Sequence, residues 1–364
     1  MLIYKRIAVK VGSNVLTRKD GTLNVTRMSA LVDQIAELRR SGVAVALISS
    51  GAVASGRSEI RPDRKLDAVS ARQLYSAVGQ AKLINRYYEL FREHGVACGQ
   101  ILTMKENFAT RRLYLNQKHC MEVMLDNGVL PIVNENDAVS VTELMFTDND
   151  ELSGLIAAMM GMEALVILSN VDGVYDGDPS EPTSAVIREI KDGSPEAQSF
   201  VATEKSSFGR GGMLTKYNIA RKIADEGIAV IIANGLRENI LIDVLSEDSA
   251  VVCTRFLPLP KPVSNIKKWI AHSEGFSKGE VYVNDGAREA LLGTKATSVL
   301  FVGVIRIEGD FEKDDIIRIL DLSGRQIGLG CAAFDSAEAL KRIGKRSDRP
   351  LVHYDYLNLV HNAR

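Results

Sequence analysis

The chain has 364 residues, 46% hydrophobic and 25% charged, with 45 Lys and Arg against 46 Asp and Glu, a formal net charge of -1. That length calls for two domains, the composition excludes a disordered or low-complexity chain, and the charge balance leaves no global field for nucleic acid or an anionic membrane. Apolar runs such as 43–48 and 228–233 fall far short of the roughly 18 residues of a membrane span. Charges at Lys5, Arg6 and Lys10 interrupt the stretch where a secretory signal would be apolar, and Cys98, Cys120, Cys253 and Cys331 form no CxxC pair. The expectation is a soluble, cytoplasmic protein with reduced thiols and no structural zinc.

In chain order, β-rich apolar runs occur at 7–11, 43–48, 96–102, 130–133, 164–168 and 228–232. Runs apolar at nearly every position suit strands buried on both faces. Helical patterns lie between them: Leu31, Ile35 and Leu38 share one face of a helix that Arg39, Arg40 and Gly42 bring to an end. This predicts an α/β domain with a mainly parallel sheet, whose ligands sit beyond the carboxyl ends of the strands. Pro258, Pro260 and Pro262 then mark a linker. Beyond it, runs at 280–283, 298–307, 316–320 and 326–329 predict a small β-rich domain, punctuated by turns at Asp285-Gly286, Gly309-Asp310 and Ser323-Gly324. The expected division is 1–256, a Pro-rich linker at 257–266, and 267–364.

Five segments leaving these strands carry the chemistry. Lys10-Val11-Gly12-Ser13-Asn14 and Ser49-Ser50-Gly51-Ala52 are small-residue turns, either tight βα connections or cradles where backbone N–H groups and a lysine meet a phosphate. Neither is a Walker loop or a dinucleotide fingerprint. Asn134-Glu135-Asn136-Asp137 and Asp148-Asn149-Asp150 follow a buried run with polar side chains; one of the latter caps a helix, and the rest suit an ammonium group or the orientation of lysines. Ser169-Asn170 opens a loop of turn residues. Gly211-Gly212-Met213-Leu214-Thr215-Lys216 enters a helix, as an anion site or as a surface loop.

Taken together, Lys10 to Ser13, Ser50-Gly51-Ala52, Ala77-Val78-Gly79-Gln80, the 133–137 segment, Asp148-Asn149-Asp150 with Leu152-Ser153, and Gly211 to Lys216 resemble the amino acid kinase family. Within it they are most similar to the branch that phosphorylates L-glutamate with ATP, the first step of proline biosynthesis. The region with Gly279-Glu280, Asp285-Gly286-Ala287 and Ala290-Leu291 resembles a PUA domain. The resemblance implies a mainly parallel sheet sandwiched by helices, followed by a small β-rich PUA-like domain, and from its length a chain without an appended aldehyde dehydrogenase.

It also implies roles. Lys10 and Lys216 would hold the transferring phosphoryl group, with Asp150 orienting them. Ser50, Asp137 and Asn149 would bind glutamate. Lys10, Gly12, Ser13, Ser169, Asn170, Gly211, Gly212, Met213, Leu214, Thr215 and Lys216 would bind the nucleotide, with Mg²⁺ carried by ATP and no protein ligand assigned to it. L-proline as feedback inhibitor and a homo-oligomer are further implications. Ser169-Asn170, Arg210 and Cys253 depart from the family's usual Thr-Asp, Thr and Gly.

Two other readings compete. Another member of the family would act on aspartate, acetylglutamate, carbamate or UMP. An RNA-binding protein would use the C-terminal domain, where Lys341, Arg342, Lys345, Arg346 and Arg349 cluster, although from residue 267 onward 15 Lys and Arg face 14 Asp and Glu.

Overall fold

A computed structural model describes residues 2–140, 146, 148–179, 181, 183–191, 212–260, 265–271, 273–293 and 295–359. The chain divides into two compact units, one of Met1–Lys105 and Gln117–Pro262, the other of Glu106–Asn116 and Val263–Arg364. Among the described residues no helix is long and apolar enough to cross a membrane.

The first unit runs β1 (Arg6–Val11), α1 (Ser13–Leu16), α2 (Val25–Arg40), β2 (Ala44–Ser49), α3 (Ala52–Glu59), α4 (Ala68–Glu93), β3 (Cys98–Thr103), α5 (Arg111–Asp126, whose N-terminal turns cluster with the second unit), β4 (Leu130–Glu135), α6 (Asn149–Met159), β5 (Ala164–Ser169), β6 (Glu189–Ile190), α7 (Met213–Asp225), β7 (Ala229–Asn234), α8 (Ile240–Leu245) and β8 (Thr254–Phe256). The sheet order is β3-β4-β2-β1-β5-β7-β8-β6. Its first six strands are mutually parallel, β8 turns antiparallel against β7, and β6 runs parallel to β8.

All six apolar runs become strands of the parallel set; the inner ones are covered on both faces, while β3, at the sheet edge, leaves Gln100 and Leu102 exposed. Val9, Leu47, Ile132, Val166 and Ile231 join Leu31, Ile35, Phe91 and Leu241 in one core. Their neighbours Ala8, Lys10, Ile48, Val133, Ile167 and Ile232 point the other way and are buried too. Local chemistry sets the helix ends: Asn24 accepts from the Arg27 N–H to start α2, Asp67 from Val69 and Ser70 to start α4, and Gly42 at φ 84° follows α2.

The second unit holds α9 (Asn265–Ala271), β9 (Gly279–Val283), α10 (Asp285–Leu292), β10 (Val304–Gly309), β11 (Ile316–Leu320), β12 (Gln326–Cys331), α11 (Ser336–Leu340) and β13 (Leu357–Leu359), its sheet ordered β10-β9-β11-β12-β13. Two expectations are corrected here. The 298–307 run is not one strand: Phe301–Gly303 is a 3-10 turn, and Val299 makes an isolated bridge to Val352. Asp285-Gly286 is no hairpin turn but the start of α10, because the Asn284 side chain accepts from the Ala287 N–H and caps a helix there. Trp269, 2% exposed, donates its indole N–H to the Phe108 carbonyl at 3.0 Å and packs on Tyr114, so the Glu106–Asn116 segment supplies part of this unit's interior.

One packing contact in the first unit governs where its functional loops sit. α3 and α4 meet backbone to backbone: a Cβ on Gly79 would overlap the Ala52 carbonyl, and one on Gly56 would overlap the Tyr75 carbonyl. Gly79→Ala therefore has no side-chain end to displace. It should cost at least about 1–3 kcal/mol of stability, as overpacking does. Chemical unfolding of the variant checks this, and an unchanged midpoint would contradict the close approach.

Candidate active site

The carboxyl ends of the parallel strands bring two charged clusters and a chain of amides together. The first cluster centres on Asp150. Asp148 caps α6 by accepting from the Asp150 and Glu151 N–H groups at 2.9 and 3.1 Å, which fixes Asp150 in the first turn. Its carboxylate meets Lys10 Nζ, at the end of β1, at 2.5 Å and Lys216 Nζ, on α7, at 3.0 Å. Asp150 is 0% exposed. Burial opposes its ionisation, yet the two ammonium groups outweigh that penalty and hold the carboxyl below its ordinary value. Asp148 moves upward instead, through burial and the charge of Asp150.

Packing places the second lysine. Gly154, one turn after Asp150, lies against Ile219 and Ile223, and a Cβ there would come within 3.1 Å of Ile223. The bare backbone lets α6 and α7 approach closely, so Asp150 and Lys216, each about one turn nearer its helix start, meet. Gly12 lines the same end of β1: its N–H donates to the Leu168 carbonyl at 3.1 Å, and an added Cβ would stand 3.6 Å from Lys10 Nζ. Ser13 opens α1. Gly212 is the N-cap of α7, with Met213, Leu214, Thr215 and Lys216 in its first turns. Gly211 and Arg210 lie outside the described residues.

The amide chain begins at Ser50, just after β2. Asn149 Nδ2 donates to Ser50 Oγ and to Asn134 Oδ1, both at 2.9 Å, and Asn134 Nδ2 donates to Gln80 Oε1 at 2.8 Å. Gly51, at φ 105°, makes the left-handed turn between β2 and α3 that few side chains tolerate.

The second cluster surrounds Asp137. Arg72 Nε donates to Asp137 Oδ1 at 2.8 Å, and its Nη2 reaches both Asp137 and Glu135, the latter at 3.2 Å. Glu135 Oε1 also accepts the Phe146 N–H at 3.0 Å. Burial raises the Asp137 carboxyl against the pull of Arg72 and Ser76. Burial, with Asp137 beside it, pushes Glu135 from 4.5 up to about 7.

Of the residues singled out in sequence, Lys10, Asp150 and Lys216 touch one another, Ser50 and Asn149 share a hydrogen bond, and Asp137 belongs to the Arg72 cluster. Ser169 and Asn170 pair with each other at 3.4 Å at the end of β5, where the Gly235 N–H holds the Ser169 carbonyl. Beside them Arg237 grips Asp172 through two hydrogen bonds at 2.7 and 2.8 Å. Cys253 is buried, and the adjacent Thr254 hydroxyl accepts from Val174 N–H and donates to the Ile187 carbonyl. Sequence reasoning missed Arg72 and Ser76, gave Gln80 no role, and singled out Asn134 and Glu135 only as part of a polar segment suited to an ammonium group or to orienting lysines. The signal was there as a polar stripe at i, i+4 and i+8 on α4. Among the described residues no group of three or more acidic, His or Cys side chains could hold a metal ion. In the second unit, Arg342 pairs with Glu338 at 2.5 Å and stands over Phe334, so the basic cluster there is partly engaged.

The amino acid kinase family profile matches residues 5–234, and the PUA domain profile matches residues 279–354. The chain is 68% identical to a glutamate 5-kinase of Bacteroides thetaiotaomicron, over 97% of this chain and 98% of that protein. It is 46% identical to a glutamate 5-kinase of Chlorobaculum tepidum over 98% of each chain, and 37% identical to one of Pelobacter propionicus over 98% of this chain and 95% of that one.

The raised carboxyl of Glu135 makes a stability prediction. The folded protein keeps this proton up to about pH 7 whereas the unfolded chain releases it near 4.5. The group's contribution to stability is thus present below the unfolded value and lost as pH rises through the folded one. Glu135→Gln should flatten the fall in thermal midpoint across that window. Parallel midpoint curves for the two proteins would show that Glu135 does not titrate as described.

Proposed function

Because the chain belongs to the amino acid kinase family, we propose that it transfers the γ-phosphoryl group of ATP to the side-chain carboxylate of L-glutamate, giving L-glutamate 5-phosphate, the first step of proline biosynthesis. The observation that carries this reading is the buried Asp150 carboxylate gripped by two ammonium groups. Two ammonium groups that converge on one carboxylate bring positive charge to the strand ends, the sign that a transferring phosphoryl group needs.

The acceptor requires little activation. A glutamate side chain has a pKa near 4.3, so it arrives ionised at neutral pH and no general base is needed. The work is alignment and charge neutralisation. Lys10 and Lys216 hold the phosphoryl oxygens, and Asp150 fixes where both ammonium groups point. Ser50, Asp137 and Asn149 hold glutamate, while Gly12, Ser13, Ser169, Asn170 and the turn from Gly211 to Thr215 receive the nucleotide. Magnesium dehydrates reluctantly and favours phosphate oxygens, so it travels with ATP and no protein ligand is assigned.

This chemistry belongs to residues 1–256; the linker at 257–266 and the region 267–364 stand outside it. A cytoplasmic location, a homo-oligomeric state and inhibition by L-proline accompany the reading.

ADP release measured with ATP, Mg²⁺ and a panel of L-glutamate, L-aspartate, N-acetyl-L-glutamate, carbamate and UMP tests it. Release should depend on L-glutamate and fall when L-proline is added. Preference for another acceptor would overturn the assignment of substrate. In the same assay Lys10→Ala or Lys216→Ala should lower kcat by about a hundredfold to a thousandfold. Near-normal turnover by a folded Lys216→Ala protein would remove the lysines from the chemistry.

A further inference from the structure

The polar stripe of α4 faces the exit of β4 along its length. Arg72 reaches Asp137 and Glu135, Ser76 bonds Asp137, and Gln80 receives the amide of Asn134. Ser76 and Gln80 are buried, as are Asn134, Glu135 and Asp137. A helix that turned this stripe to solvent would take these hydrogen bonds away from buried partners, which is unfavourable in the interior. The stripe is therefore part of what gives the 134–137 segment its shape.

Its charge is unbalanced in an informative way. Among the described residues one guanidinium meets two buried carboxyl groups, while the amides of Gln80, Asn134 and Asn149 beside them carry no charge. A second carboxylate without a cation is costly in the interior and is relieved either by a proton or by another positive group. Among the described residues, the ionisable groups facing Glu135 are Asp137, Arg72 and Glu151, and Glu151 is itself paired with Lys105 at 3.4 Å. A substrate ammonium group would supply the missing charge.

We infer that Arg72 is a positioning residue of the acceptor site: it fixes Asp137 and Glu135 so that together they select an acceptor carrying an ammonium group. The inference rests on the reading of L-glutamate as substrate. Arg72 itself holds the two carboxylates and leaves contact with the acceptor to them. Its two-point grip through Nε and Nη2 sets where Asp137 points, a geometry a lysine cannot copy in full.

The test compares L-glutamate with glutarate, the same dicarboxylate without its amino group, as acceptors for the full-length protein and for Arg72→Ala and Arg72→Lys. Arg72→Ala should raise KM for glutamate by about tenfold or more while KM for ATP moves by less than about twofold. It should shrink the kcat/KM preference for glutamate over glutarate, and Arg72→Lys should recover part of both. A merely structural role would move the two KM values together and leave the preference intact, and that result would overturn the inference. Should Arg72→Ala not fold, the glutamate-to-glutarate preference of Arg72→Lys decides alone: unchanged, it sinks the proposal. Failure of the unsubstituted protein to phosphorylate glutamate would overturn the functional reading, a different outcome from normal turnover with an unmoved preference.

Discussion

The Asp150 carboxylate lies out of reach of water and remains an anion there because Lys10 and Lys216 hold it. Taking each of these ions from water costs several kcal/mol even after relaxation, and removing any one strands the others. The arrangement thus ties together β1, α6 and α7, elements far apart in sequence. The contacts around it fit that demand: Asp148 fixes the helix start, and Gly154 lets α6 and α7 approach closely enough for the ammonium group to arrive.

Two unlike clusters stand at the carboxyl ends of β1 and β4, with β2 between those strands. Among the described residues, two ammonium groups converge on Asp150, and one guanidinium is shared by two carboxyl groups, Glu135 and Asp137. Between them runs an uncharged chain of Ser50, Asn149, Asn134 and Gln80, in which Asn149 adjoins Asp150 and Asn134 adjoins Glu135. Amides suit that place because each can donate and accept, so they hold spacing without adding a charge that would compensate either cluster. A molecule bearing negative groups at one end and a positive group at the other complements such a surface.

How much of this could be read in advance follows from which interactions are local. Strands such as 7–11 and 164–168 are legible because a parallel sheet buries both their faces and leaves an unbroken apolar run. The Asp148 cap is equally local. The meeting of Lys10, Asp150 and Lys216 was not, since no spacing relates the three, and only the family resemblance joined them. Arg72, Ser76 and Gln80 escaped for another reason: polar residues at i, i+4 and i+8 look the same whether they face water or a buried carboxylate. The second unit's missed features, the 3-10 turn at Phe301–Gly303 and the short β13, are too brief to leave a period.

Trp269 bears on how the protein is made. Its indole and the rings of Phe108 and Tyr114 belong to one interior, yet Trp269 follows Tyr114 by 155 residues. A ribosome adding about 5–20 residues per second leaves those two aromatic side chains waiting on the order of ten seconds for their partner. The first unit's sheet has all its strands before that moment, so it can close while the Glu106–Asn116 excursion is still unpaired. The nascent chain thus carries an apolar segment through about 155 residues of further synthesis, until Trp269 emerges. Chaperone occupancy and synthesis rate thereby become part of this fold's physical chemistry.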